Sequence, residues 1–91
     1  MARKHLNIAI EGMVQGVGFR WSVRSMAQRM GVVGFVRNEV DGSVSIEAEA
    51  EEDALNEFVA WCRHGPPAAS VDHVDTTPGP VKGFADFAIR L

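Results

Sequence analysis

Cysteine is almost absent. The 91-residue chain carries one, Cys62, so it holds no internal disulfide framework and no cysteine-rich metal site. A lone thiol is compatible with a reducing compartment. Long apolar runs are missing as well, so neither a signal peptide nor a membrane span is expected, and a cytoplasmic location is. An excess of basic charge is lacking: 9 Lys and Arg against 12 Asp and Glu give a net charge of −3. Such a chain is a poor partner for a long nucleic-acid backbone. Its three histidines, His5, His64 and His73, are scattered without ligand spacing, which predicts no metal and no cofactor. Internal repeats and low-complexity segments are absent too.

What remains is ordinary globular material, 46% hydrophobic and 23% charged. It is enough for one domain over residues 1–91, burying roughly 60–65% of its unfolded surface. Leu6, Ile8 and Ile10 alternate with His5, Asn7, Ala9 and Glu11, the period-two signature of a strand with one buried face. Phe19, Val23, Met26, Ala27 and Met30 then share one helical face, with Gly31 placed to end the helix. Residues 33–50 read as a hairpin turning at Asp41-Gly42, a type I′ signal. Its second strand points Ser43, Ser45, Glu47 and Glu49 to solvent. A second helix starts at the acidic run Glu51, Glu52, Asp53 and buries Leu55, Phe58, Val59 and Cys62. Gly65 and Pro66-Pro67 end it. Val71 to Thr76 is a fourth strand, Pro78-Gly79-Pro80 a loop, and Phe84 to Leu91 a final strand.

The order β-α-β-β-α-β, with a possible fifth strand, predicts an α+β ferredoxin-like sandwich. Two helices cover one face of an antiparallel sheet. Right-handed crossovers give the strand order 4-1-3-2.

Between the first strand and first helix lies Gly12-Met13-Val14-Gln15-Gly16-Val17-Gly18-Phe19-Arg20. Glycines let a backbone turn sharply and approach a ligand. A helix start offers unpaired N–H donors and partial positive charge. With a guanidinium added, the segment suits a tetrahedral oxyanion such as phosphate. It is neither a Walker loop, having no Gly-Lys-Ser/Thr, nor a dinucleotide fingerprint, since Gly16 and Gly18 are followed by Trp21 rather than a third glycine. Val14 stands six residues before Arg20, where a cysteine phosphatase carries its nucleophile. A purely structural β-to-α turn is the bland alternative.

The same residues carry a family resemblance. Gly12-x-Val14-Gln15-Gly16-Val17-x-Phe19-Arg20 resembles the signature of acylphosphatases, and Gly34-Phe35-Val36-Arg37-Asn38-x-x-Asp41-Gly42-x-Val44 resembles their second signature. Phe58-Val59-x-Trp61-x-x-His64-Gly65-Pro66-Pro67 and the closing Phe87-x-Ile89 are also similar. The resemblance implies hydrolysis of acyl phosphates to a carboxylate and inorganic phosphate without metal or cofactor. It implies that the backbone amides of Gln15, Gly16, Val17, Gly18, Phe19 and Arg20, with the Arg20 guanidinium, hold the phosphate. Asn38 matches the residue that positions the attacking water. Trp21 and Ser22, Glu39, and the terminal Leu91 depart from the commoner pattern. The expected partners are a small-molecule acyl phosphate and inorganic phosphate, with neither nucleic acid nor membrane, for a monomer that stands alone. A non-catalytic anion-binding module, and a domain acting on carbamoyl phosphate within a larger assembly, remain open at this point.

Overall fold

A computed structural model describes residues 2–91. Its elements run β1 (Lys4–Met13), α1 (Phe19–Met30), β2 (Val33–Asn38), β3 (Val44–Ala50), α2 (Glu52–His64), β4 (Ser70–Gly79) and β5 (Phe87–Arg90). The sheet order is β4-β1-β3-β2-β5, so the expected 4-1-3-2 arrangement holds and the fifth strand joins beside β2. That last pairing is parallel, which makes the sheet mixed, while β1–β3, β1–β4 and β2–β3 are antiparallel.

The helices are amphipathic as the spacing predicts. α1 buries Phe19, Val23 and Ala27, and α2 buries Leu55, Phe58 and Cys62. They meet Ile8, Ile10, Val36, Val44, Ile46 and Ala48 from the sheet in one core. Phe58 packs edge-on against Phe87, with ring centroids 6.1 Å apart. Burying each such side chain contributes roughly 1.5–3 kcal/mol. Gly31 ends α1 in the left-handed region, at φ 73°, where the missing Cβ removes the steric penalty.

Several local expectations are corrected. The turn at Asp41-Gly42 is not type I′, because no non-glycine residue has positive φ and only Gly42 does, at 95°. Gly42 N–H donates to the Glu39 carbonyl and Glu39 N–H to that of Ser43, giving a three-residue loop with a left-handed glycine. β4 runs through Pro78 to Gly79 instead of stopping at Thr76. As an edge strand it can spare the missing N–H. β5 is shorter than expected, and Leu91 is wholly exposed.

The largest correction concerns the face of the sheet away from the helices. His5 and Glu49 were expected on a solvated polar face, yet they are 2% and 0% exposed. The segment after β4 crosses this face: Phe84 stacks on His5 at 6.2 Å and meets Phe35 edge-on at 5.8 Å. The Glu49 carboxylate accepts the N–H groups of Lys82, Gly83 and Phe84 and lies 2.6 Å from His5 Nδ1.

Candidate active site

β1 and β2 are both antiparallel to β3, so they run parallel to each other, and β5 runs parallel to β2. Their C-terminal ends therefore lie at one end of the sheet. There the chain leaves β1 into the glycine loop, β2 ends at Asn38, β5 ends at Arg90, and α1 begins. Residues separated by as many as 75 positions are thereby gathered at one rim.

The loop is pinned at its base by Val14, 1% exposed, and at its exit by the buried ring of Phe19, while Val17 packs partly against the core. Gly16 and Gly18 have φ of 75° and 76°, and neither has an atom within 4 Å of where a Cβ would stand. Their requirement is conformational, since the space around them is open. Gly18 is the N-cap of α1 and supplies no side-chain cap. The first hydrogen bond of the helix runs from Ser22 N–H to the Gly18 carbonyl. Among the described residues, none of the amides from Gln15 to Arg20 has a protein acceptor. An unpaired run of donors at a helix start favours an anion electrostatically.

Arg20 lies in the first turn of α1, half-buried, and its Nη1 donates to the Arg90 carbonyl at 3.4 Å. Arg90 pairs with Arg37 in the sheet, so this contact draws the guanidinium to the strand ends beside Asn38. No carboxylate lies within ion-pair distance of Arg20 among the described residues, unlike an ordinary surface arginine. Asn38 is half-buried and pairs with Val44, whose side chain is fully buried under the helices. Alternation from Val36 puts Asn38 on that same helix-covered face. Its carboxamide makes no hydrogen bond to another described residue.

Other titratable groups are committed elsewhere. The bond from Arg37, chiefly, and Ser45 hold the Glu39 carboxyl below its ordinary range, and Arg37 Nε lies 2.6 Å from it. Arg37 is thus a paired surface charge. Bonds from Ser43 lower Asp41 in the same way. Burial pushes the Cys62 thiol up to about 12, against a weak opposing pull from Arg63, so it supplies no thiolate. No group of three His, Cys, Asp or Glu residues could hold a metal ion among the described residues.

The sequence motif singled out Gln15 for its amide but left its side chain unassigned. Gln15 Nε2 donates to the carbonyls of Glu39 and Ser43 at 2.8 and 2.9 Å, tying the loop to the mouth of the β2–β3 hairpin.

Comparisons with known proteins agree with this architecture. The acylphosphatase family matches residues 6–89. An acylphosphatase of Thermotoga petrophila is 47% identical over 87 residues, spanning 96% of this chain and 97% of that one. An acylphosphatase of a Synechococcus species is 52% identical over 81 residues, spanning 89% and 90%. The crystal structure of acylphosphatase from Bacillus subtilis superposes with a TM-score of 0.94 at 36% identity, covering 97% of this chain and 99% of that one. By these matches and by its α+β sandwich, the chain belongs to the acylphosphatase family, enzymes that hydrolyse acyl phosphates.

Proposed function

We propose that hydrolysis proceeds by in-line attack of a water oriented by Asn38 on a phosphoryl group gripped by the amides of Gln15 to Arg20 and by the Arg20 guanidinium. One observation carries this reading: a run of backbone donors without protein acceptors opens beside an arginine without a carboxylate. Water oxygen forms a bond to phosphorus as the bond from phosphorus to the acyl oxygen breaks. The electron pair leaves with the carboxylate.

The chemistry asks little of the protein. A carboxylate leaves readily, because its conjugate acid has a pKa of roughly 4. No general acid is needed. The remaining barrier is the approach and ordering of water at an anionic phosphoryl group, which is a matter of positioning and charge. Arg20 can hold two equatorial oxygens in a fork geometry. Preset amides lose little by reorganising. A neutral carboxamide accepts and donates at once, so Asn38 can orient water without ionising. Glu39, the nearest carboxylate in sequence, is a weakened base held by Arg37. The water's proton therefore goes to an oxygen of the phosphoryl group itself, and no step requires a metal.

Benzoyl phosphate hydrolysis by purified variants tests the assignment. Arg20→Ala is expected to lose ~3–4 kcal/mol or more of transition-state stabilisation, as for a deleted oxyanion donor. Asn38→Ala is expected to lose turnover while inorganic phosphate still inhibits competitively. Near wild-type rates for either variant would refute its role.

A further inference from the structure

We propose that the Gln15 side chain is a positioning residue for hydrolysis, setting the spacing between the phosphate loop and Asn38. This rests on the reading of Asn38 as the residue that orients water.

The two halves of the site belong to different elements. The amide donors hang on a loop between β1 and α1, whereas Asn38 closes β2. Asn38 pairs with Val44, and Val44 pairs with Ile10, so sheet register fixes Asn38 against β1. The register ends at Met13; beyond it the loop leaves the ladder and could shift along the rim. Gln15 bridges that gap. Its one NH2 group reaches two carbonyls, Glu39 at 2.8 Å and Ser43 at 2.9 Å, 24 and 28 residues away. Glu39 is the residue next to Asn38. Two donors from one planar amide to two acceptors fix orientation as well as distance. Displacing a reacting group by about 1 Å can cost 10²-fold in rate.

A structural role alone explains this contact poorly. Both carbonyls already have backbone partners, since Gly42 N–H donates to Glu39 and Glu39 N–H to Ser43. The hairpin closes without Gln15, and deleting the amide leaves no acceptor stranded. What the contact adds is the position of the loop relative to the hairpin.

The test is a double-mutant cycle on benzoyl phosphate hydrolysis, pairing Gln15→Met, near in size and without a donor, with Asn38→Ala. For Gln15→Met, kcat is expected to fall about tenfold to a hundredfold. The inhibition constant of inorganic phosphate should stay within about threefold, because the loop amides remain. In the Asn38→Ala background the same substitution should change kcat less than about twofold, since a residue acting through another adds nothing once that one is gone. Gln15→Glu, which keeps the length but turns oxygens toward both carbonyls, should match or exceed the Gln15→Met loss. Thermal unfolding of each variant verifies that the loss belongs to folded protein. An unchanged kcat for Gln15→Met overturns the proposal, as does an equal loss in the Asn38→Ala background. A phosphate inhibition constant that weakens in step with kcat also overturns it, by making Gln15 part of the anion grip. A wild-type rate for Asn38→Ala is a separate failure, of the water-orienting reading itself.

Discussion

Among the described residues, Glu49 is the most heavily engaged carboxylate outside the candidate site. Desolvation pushes its pKa up, but the Lys82 N–H, the His5 ring and the N–H groups of Gly83 and Phe84 outweigh it and bring the value down to about 2. The unfolded chain would titrate near the ordinary 4.5. Above that pH both states are ionised and the stabilisation is fully present. As pH falls from about 4.5 toward 2, the unfolded state takes up a proton that the folded state refuses, and the stabilisation is lost. Glu49→Gln should therefore flatten this acid limb in urea denaturation followed across the range. At neutral pH it should cost roughly 1–3 kcal/mol, because a carboxamide has one acceptor oxygen for the buried donors that the carboxylate meets with two. An unchanged denaturation midpoint at neutral pH would contradict the assignment. Sequence could not reveal this cluster, because His5 and Glu49 sit 44 residues apart and each alternates correctly as an outward position. Their burial is decided by the covering segment 80–86, which carries no periodicity.

At the scale of elements, periodicity was a sound guide wherever one face meets the helices. Both helices and the core positions of β1 and β3 follow from spacing alone, because the core is apolar and one-sided, whereas β2 buries Gly34, Phe35 and Val36 in succession. Ends were harder to read. The Asp-Gly turn chose a bulged loop, and an edge position let β4 pass through Pro78. The loop and Asn38 were legible as motifs, whereas the contact that joins them depends on hairpin carbonyls with no side-chain signature. The hairpin also has an unforgiving point. Gly34 has φ 144°, and a Cβ there would stand 1.8 Å from the Glu47 carbonyl oxygen of β3. A backbone atom in a paired strand cannot step aside as a flexible side chain can. Gly34→Ala combines a disfavoured φ with overpacking, for a cost of roughly 2–5 kcal/mol. Thermal unfolding should show a large fall in midpoint, and a change under about 1 kcal/mol would mean that β2 and β3 part more easily than their register implies.

The whole molecule is acidic, at −3, yet its proposed ligand is an anion. Long-range attraction therefore contributes little, and binding must be local, through amides and Arg20 on a rim already assembled by the fold. Such a site couples ligand to stability: an anion held by the folded loop, and not by the unfolded chain, stabilises the fold by mass action. At inorganic phosphate ten times its dissociation constant the gain is about 1.4 kcal/mol. In a domain of this size that corresponds to a rise in melting temperature of roughly 5–10 °C. Chloride at matched ionic strength separates this from general screening and should give a much smaller shift. Arg20→Ala should lose most of the phosphate-specific rise, and Asn38→Ala should keep it, because Asn38 is assigned to water rather than to the anion. Equal shifts with chloride and phosphate in the wild-type protein would mean that the unpaired amides at the start of α1 hold no phosphate in solution.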